Sequence, residues 1–351
     1  MHKAFEQLTG KAANGFHQSD VPSLQGKTAI ITGGTGGIGF EVARALALSQ
    51  ARVLLLSRKG EHGEEAIRKI KESSTTGPIP DITFMECDLG NLAHVKKVGS
   101  QIREQEKQLD ILVCDAGVGV NKFDLSADGI DRHFAVNHLG HFLLVNQLLP
   151  LIRHTTTLPD SSPARIISVS SELHRTASSN THFASLEEIN DPSATRGMMG
   201  EANGLYARTK LANILFTKGL VKRILKPNKE ESRIYAVTTH PGAVHTGQQD
   251  QFKEAYGKVF GSVMKAAVVP FMRGPDQGCL STLWAAVADD VTVGQKWQGK
   301  YVTDPSEDGK ENEMACDEKL EDNLWKLSES IVKEKLGQEG LLSWNQGTSG
   351  K

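Results

Sequence analysis

From residue 27 to residue 117, short apolar runs alternate with longer stretches in which apolar residues return every three or four positions. The runs KTAIIT (27–32), ARVLLLS (51–57), ITFMECD (82–88) and LDILVCDAG (109–117) are too continuous for a sheet wetted on one face. They predict parallel strands covered on both sides. The stretches IGFEVARALALSQ (38–50), EEAIRKIKES (64–73) and NLAHVKKVGSQIREQ (91–105) predict amphipathic crossover helices. The rhythm continues with a helix near 130–153, the strand ARIISVSS (164–171), a helix near 205–226 and a strand over 233–240. Helices near 249–268 and 276–289 and a last strand near 299–303 follow, and DEKLEDNLWKLSESIVKEKLG closes as an amphipathic helix stopped by Gly337. Such alternation predicts an α/β fold: a single doubly wound, mostly parallel sheet with helices on both faces.

Two segments break the rhythm. Residues 1–24 are polar and aperiodic and predict an N-terminal arm. Residues 172–204, rich in Ser, Thr, Asn and Gly, form an irregular insert of a length usually tied to function or disorder. The expected plan is therefore the arm, one domain over 25–336 that includes this insert and a substrate-covering segment at 247–275, and a tail at 337–351. With 38% hydrophobic residues among 351 and a formal net charge of -2, the chain suits a globular protein with a full core. That balance gives no electrostatic reason to expect nucleic acid or an anionic membrane surface as partner. No run approaches the ~18 apolar residues of a membrane span, and the first residues lack the apolar centre of a secretion signal. Cys87, Cys114, Cys279 and Cys316 lie far apart and form no C-x-x-C pair, so reduced, buried thiols in a cytoplasmic protein are expected.

Candidate chemistry begins at TGGTGGIG (32–39), where five of eight residues are glycine, between the first strand and the first helix. A turn without side chains lets a phosphate approach N–H groups at the positive end of a helix. The first crevice of a doubly wound sheet is also where such folds take ligands. The spacing is Gly33-x-x-x-Gly37-x-Gly39, and a merely tight strand-to-helix turn is the bland alternative. Holding an unphosphorylated ribose usually takes a carboxylate about 20 residues further on, yet Ser57, Arg58 and Lys59 stand there. Arg58 can pair bidentately with a 2′-phosphate and Lys59 adds charge, so NADP(H) is the expected cofactor. Two solvated basic residues opening a loop are the alternative.

Further along, the motifs fall in one order: Thr32 to Gly39, Asp88 in CDL, Cys114-Asp115-Ala116-Gly117, VNHLGHFLL with Asn137, Ser170-Ser171, Tyr206-x-x-x-Lys210 and His240 to Thr246. In that order they resemble a short-chain dehydrogenase/reductase over residues 25–336, most of all its retinol-dehydrogenase and WW-domain-oxidoreductase branch, with a Rossmann-like fold. The resemblance implies cofactor contacts from Gly33, Thr35, Gly36, Gly37, Ile38, Gly39, Ser57, Arg58, Lys59, Asp88 and Leu89. It implies more from Ala116, Gly117, Tyr206, Lys210, Pro241, Gly242, Val244 and Thr246, with Pro241-Gly242 turning under the nicotinamide and Thr246 bonding its carboxamide. Ser171 is implied to hold the substrate oxygen beside Tyr206, and Asn137 to hold a water linked to the lysine. One departure stands out: the family's second Asn of N-N-A-G is Asp115, which accepts hydrogen bonds but donates none unless protonated. Local bracing must differ there, or Asp115 is partly protonated.

Carbonyl reduction needs hydride on carbon and a proton on oxygen; the cofactor brings the first and the protein the second. A tyrosine, with a reference pKa of ~10, is a sluggish acid–base group unless a nearby cation lowers that value. Tyr206 and Lys210, four apart on a helix, share a face. The expected catalytic set is Asn137, Ser171, Tyr206 and Lys210; period-two alternation sends Ser170 to the opposite face from Ser171. His133, His138 and His141 lack a third ligand or acidic partner at zinc spacing, so no metal is expected. Segment 247–275, with Phe183, Met198 and Met199 of the insert, is expected to form the mouth of a lipophilic pocket. The leading reading is an NADP(H)-dependent carbonyl reductase or alcohol dehydrogenase for a medium-sized apolar substrate. A nucleotide-sugar epimerase and a non-catalytic NADP(H)-binding sensor or scaffold are the alternatives. The resemblance implies a homodimer or homotetramer, although the extended C-terminal region can obstruct one helix-pairing surface.

Overall fold

The computed structural model describes residues 15–75, 77–197, 199–225, 233–244 and 272–346. Seven strands, β1 (Thr28–Thr32), β2 (Arg52–Ser57), β3 (Ile82–Glu86), β4 (Ile111–Cys114), β5 (Ala164–Val169), β6 (Ile234–Thr239) and β7 (Tyr301–Val302), form the sheet. Their order is β3-β2-β1-β4-β5-β6-β7, with every pairing parallel. The long helices are α1 (Gly37–Leu48), α2 (Gly60–Ser73), α3 (Leu92–Gln105), α4 (Gly140–Thr157), α5 (Glu201–Leu220), α6 (Leu280–Val287) and α7 (Glu318–Leu336). Successive strand residues serve opposite cores: Ile30 and Leu112 pack with α3, α4, α5 and α7, while Ile31 and Val113 pack with α1, α2 and α6. Burial on both faces explains the unbroken apolar runs. Among the described residues no helix is long and apolar enough to cross a membrane.

Three expectations meet a different local structure. The helix anticipated near 130–153 starts as one turn at Arg132–Phe134, widens into a π segment at Ala135–Leu139, and only then becomes α4. Single π turns inside helices release a backbone carbonyl and favour functional sites. The insert is not irregular throughout. A short helix, Leu186–Asn190, is held because the Glu188 carboxylate accepts the N–H groups of His182, Phe183 and Ala184 at 2.8, 3.0 and 2.8 Å. Phe183 does not sit at a pocket mouth: it is 1% exposed and packs 6.2 Å from the Phe134 ring, whereas Met199 is 50% exposed. The same insert presses so closely on α5 that a Cβ on Gly204 would lie 1.9 Å from the Thr195 carbonyl oxygen. Met198 and the helix expected near 249–268 lie outside the described residues.

The C-terminal region covers the outer side of α4 and α5. Trp325 of α7 stacks on Phe216 at 6.1 Å and meets Phe142 edge-on at 5.3 Å. Trp344 joins them at 4.9 Å from Trp325, and Arg153 donates to the carbonyls of Trp344 and Gln346 at 2.6 and 2.9 Å. Cys87, Cys114 and Cys279 are buried free thiols; Cys316, expected to be buried too, is exposed because it lies in the turn before α7 rather than in a strand.

Candidate active site

Parallel register gathers the motifs. Thr32 pairs with Cys114, and Cys114 with Ser168, so the glycine turn, the Asp115-Ala116-Gly117 stretch and the Ser170-Ser171 pair all leave the same edge of the sheet. The Thr32 hydroxyl accepts the N–H groups of Asp115 and Ala116 at 3.0 and 3.1 Å, binding the ends of β1 and β4 together. Gly33 has φ 70° and passes so near Ala116 that a Cβ would sit 3.0 Å from its Cα. A Cβ on Gly39 would lie 2.6 Å from the Gly33 carbonyl oxygen and 2.7 Å from Asp115 Oδ2. Glycine is demanded by these approaches as well as by φ 56° at Gly37. The N-cap of α1 is Gly36 and its first turn, with Ile38, carries no acidic residue, so the positive helix end is left without an internal anion from its own turn.

Next to this turn, Thr35 Oγ1 donates to Ser57 Oγ at 3.0 Å. Arg58 and Lys59 are exposed and have no ion-pair partner among the described residues. Asp88 turns inward on its own loop, accepting the Gly90 N–H at 2.9 Å, and the Leu89 side chain is buried in the core.

The π segment places Asn137 against the stretch after β4. Its Oδ1 accepts the Val118 N–H at 2.7 Å, and its Nδ2 donates to Val118 O and Thr209 Oγ1, both at 3.0 Å. Gly117 packs on the same amide, since a Cβ there would lie 3.2 Å from Asn137 Oδ1. The Asn137 carbonyl lies 3.1 Å from His141 Nδ1, and His141 Nε2 lies 2.8 Å from Thr32 Oγ1. Burial pushes the His141 imidazole down to about 4. It is therefore neutral: Nδ1–H donates to the Asn137 carbonyl, and Nε2 faces the Thr32 hydroxyl as acceptor. The other two histidines are spent on packing, His133 against Gly119 O at 3.1 Å and His138 against Ser328 Oγ at 2.8 Å.

On α5, the Tyr206 phenol is near enough to the Ser171 hydroxyl to be stabilised by it, and Lys210 Nζ lies 5.4 Å from the Tyr206 ring centroid while donating to Val169 O at 2.9 Å. Ser170 points the other way, donating to the Lys210 carbonyl at 2.6 Å. The electrostatics correct one expectation. Burial raises the Tyr206 phenol above its ordinary value, the Ser171 hydroxyl opposes this, and Lys210 does not bring it down. Lys210 is itself pushed down to about 8 by burial, so the ammonium is lost before the phenol ionises. At neutral pH the pair is a protonated phenol beside an ammonium.

Residues that pattern reading passed over hold this pair in place. His240 Nδ1 accepts the Glu172 N–H at 3.3 Å, tying the serine strand end to the Pro241-Gly242 turn. Glu172 in turn accepts the Tyr301 hydroxyl at 2.8 Å. Gly242, φ 79°, lies against the Arg273 side chain, which pairs with Asp304 at 2.8 Å; Val244 bridges Arg273. Arg208, two residues after Tyr206, is buried with Asp131 at 3.1 Å and donates to the carbonyls of Glu188 and Ile189 at 3.1 and 2.6 Å. The sequence signal was an arginine two positions after Tyr206, within the same helix. Thr246 and residues 247–271 lie outside the described residues.

Known proteins resemble this chain in sequence and fold. Residues 27–183 match the short chain dehydrogenase family model. The chain is 32% identical over 332 residues to the short chain dehydrogenase/reductase dpchH of Colletotrichum higginsianum, covering 93% of this chain and 80% of that one. It is 31% identical over 345 residues to human retinol dehydrogenase 14, covering 94% and 93%. A crystal structure of a putative uncharacterized protein from Mycobacterium Paratuberculosis superposes with a TM-score of 0.67 at 26% identity, over 91% of this chain and 98% of that one. The chain belongs to the short-chain dehydrogenase/reductase family of oxidoreductases.

Proposed function

We propose that this oxidoreductase is an NADP(H)-dependent carbonyl reductase acting on medium-sized apolar aldehydes or ketones. The observation that carries the reading is the Ser171–Tyr206–Lys210 cluster at the carboxyl edge of β5, with its phenol held protonated. Bound NADPH supplies the hydride. The Gly33–Gly39 turn receives the diphosphate on its N–H groups, and the uncommitted Arg58 and Lys59 take the 2′-phosphate. Ser171 and Tyr206 converge on the substrate oxygen, and Tyr206 donates the proton to the forming alkoxide. Lys210 recharges the phenol, with Asn137 and Thr209 bracing the helix that carries both. A phenol protonated at neutral pH favours reduction; alcohol oxidation needs the phenolate and so gains as pH rises. The retinol dehydrogenase named among the relatives supports an apolar substrate.

A panel of apolar aldehydes and ketones with NADPH or NADH, followed by loss of reduced-nicotinamide absorbance, tests the reading. Turnover of a hydrophobic carbonyl with preference for NADPH supports it. Protein indifferent to both coenzymes overturns it.

A further inference from the structure

Asp115 is the acid standing where the family pattern has an amide, and its surroundings are specific. It follows β4 directly, so it lies between the Thr32 end of β1 on one side and, one step beyond the Cys114–Ser168 pair, Val169 on the other. Its carboxylate lies against Gly39 in the first turn of α1, so close that a Cβ on Gly39 would sit 2.7 Å from Asp115 Oδ2. On the other side, Lys210 reaches the Val169 carbonyl. Gly39 faces Asp115 from α1, Lys210 and Tyr206 face it from α5, and the buried Cys114 thiol adjoins it in the chain. Lys210 also faces His141 and His240, both pushed down to about 4 by burial and hence uncharged. Asp115 and Lys210 are thus the anion and the cation of this cluster.

We propose that Asp115 is a positioning residue that acts in opposite senses on the two halves of the site: its carboxylate sustains the Lys210 ammonium, and it repels the diphosphate of a dinucleotide seated at the glycine turn. The inference rests on the dinucleotide reading proposed above. Burial pushes Asp115 up to about 6, against the pull of Lys210 and the Gly39 backbone. Above that pH the charge is present and both effects operate; below it both fade. Burial lowers Lys210, and Asp115 is the charge that opposes the fall. Removing the Asp115 charge therefore lets Lys210 lose its proton at lower pH while relieving repulsion at the phosphate turn. A side chain with only a structural role has no such signature, since its loss weakens both functions together.

The test is Asp115→Asn, which keeps the size and shape of the side chain and removes its charge. Coenzyme dissociation constants for NADH and NADPH are read by nicotinamide fluorescence, and kcat is followed against pH. Near pH 7.5 the variant is expected to bind both coenzymes about tenfold more tightly, the scale of one partly screened charge. The alkaline limb of its kcat profile should fall about one pH unit lower. Coenzyme binding that is unchanged or weaker, or a limb that stays or moves upward, overturns the proposal. Should the variant fail to fold, the wild-type protein decides: its NADH affinity should weaken about tenfold between about pH 5 and about pH 7.5, and a flat curve overturns the proposal. NADH serves there because a phosphate monoester titrates near pH ~6 itself. Wild-type protein that binds neither coenzyme instead removes the underlying reading, and this inference with it.

Discussion

The two ends of the crevice are built by opposite means. At the glycine turn, the proposed coenzyme site rests on side chains that are missing: Gly33 and Gly39 let the backbone of β1, α1 and Ala116 close up, and the flanking Arg58 and Lys59 stay in solvent. At the Tyr206 end, the proposed chemistry rests on polar groups forced inside: Asn137, Lys210, His141, His240, Arg208 and Asp131 are all buried and nearly all cross-tied. Phosphate binding by backbone N–H groups needs close approach and little else. Proton transfer needs shifted acidities, which only burial and fixed partners provide. Losses at the second end should therefore strike chemistry and folding, whereas losses at the first should strike coenzyme choice.

The largest separation is expected from Tyr206→Phe, which should lower kcat by about a thousandfold, the range of lost general acid catalysis. Coenzyme dissociation constants should stay within about twofold, as no charge is lost. Appreciable turnover by this variant would place the acid elsewhere. Arg208→Ala should come next, destabilising the fold by about 3–5 kcal/mol in denaturant titration, because Asp131 is left as an uncompensated buried charge. A loss below about 1 kcal/mol, the scale of surface pairs, would show that the insert is not anchored through this arginine. Arg58→Ser should raise the NADPH dissociation constant about tenfold while leaving that of NADH unchanged, as expected for one charge-assisted contact in water. Equal effects on both coenzymes would unseat the 2′-phosphate assignment. The mildest effect is in pH. Reduction should decline as pH rises through about 8, where Lys210 loses its ammonium, with no decline between about pH 6 and about pH 7 from His141 or His240, which are already neutral. A decline in that lower window would mean that one of these histidines is charged in the working enzyme, whereas a change centred near pH ~6 belongs to Asp115.

Much of the candidate site's local geometry was legible because its signals are short-range. Tyr206 and Lys210 share a helix face by spacing alone, and Ser171 was separated from Ser170 by strand alternation, as the Ser170 bond to the α5 backbone bears out. What escaped was any partner distant in the chain. Phe183 looked like an adaptable surface group in a polar stretch, but Glu188 folds that stretch back and drives the ring against Phe134. The cation beside Tyr206 was expected to acidify it, yet burial dominates both groups, raising the phenol and lowering the ammonium.

Period, turn chemistry and spacing were thus enough to set the alternation of strands and helices, the side-chain-free turn and the phenol–ammonium pair, because each depends on residues a few positions apart. The direction of the acidities, the π segment that carries Asn137, the Arg208–Asp131 pair across 77 positions and the place of Asp115 between glycine turn and lysine arose on folding. They depend on desolvation and on contacts between strand ends, and neither quantity exists in the chain until the sheet has brought β1, β4 and β5 side by side.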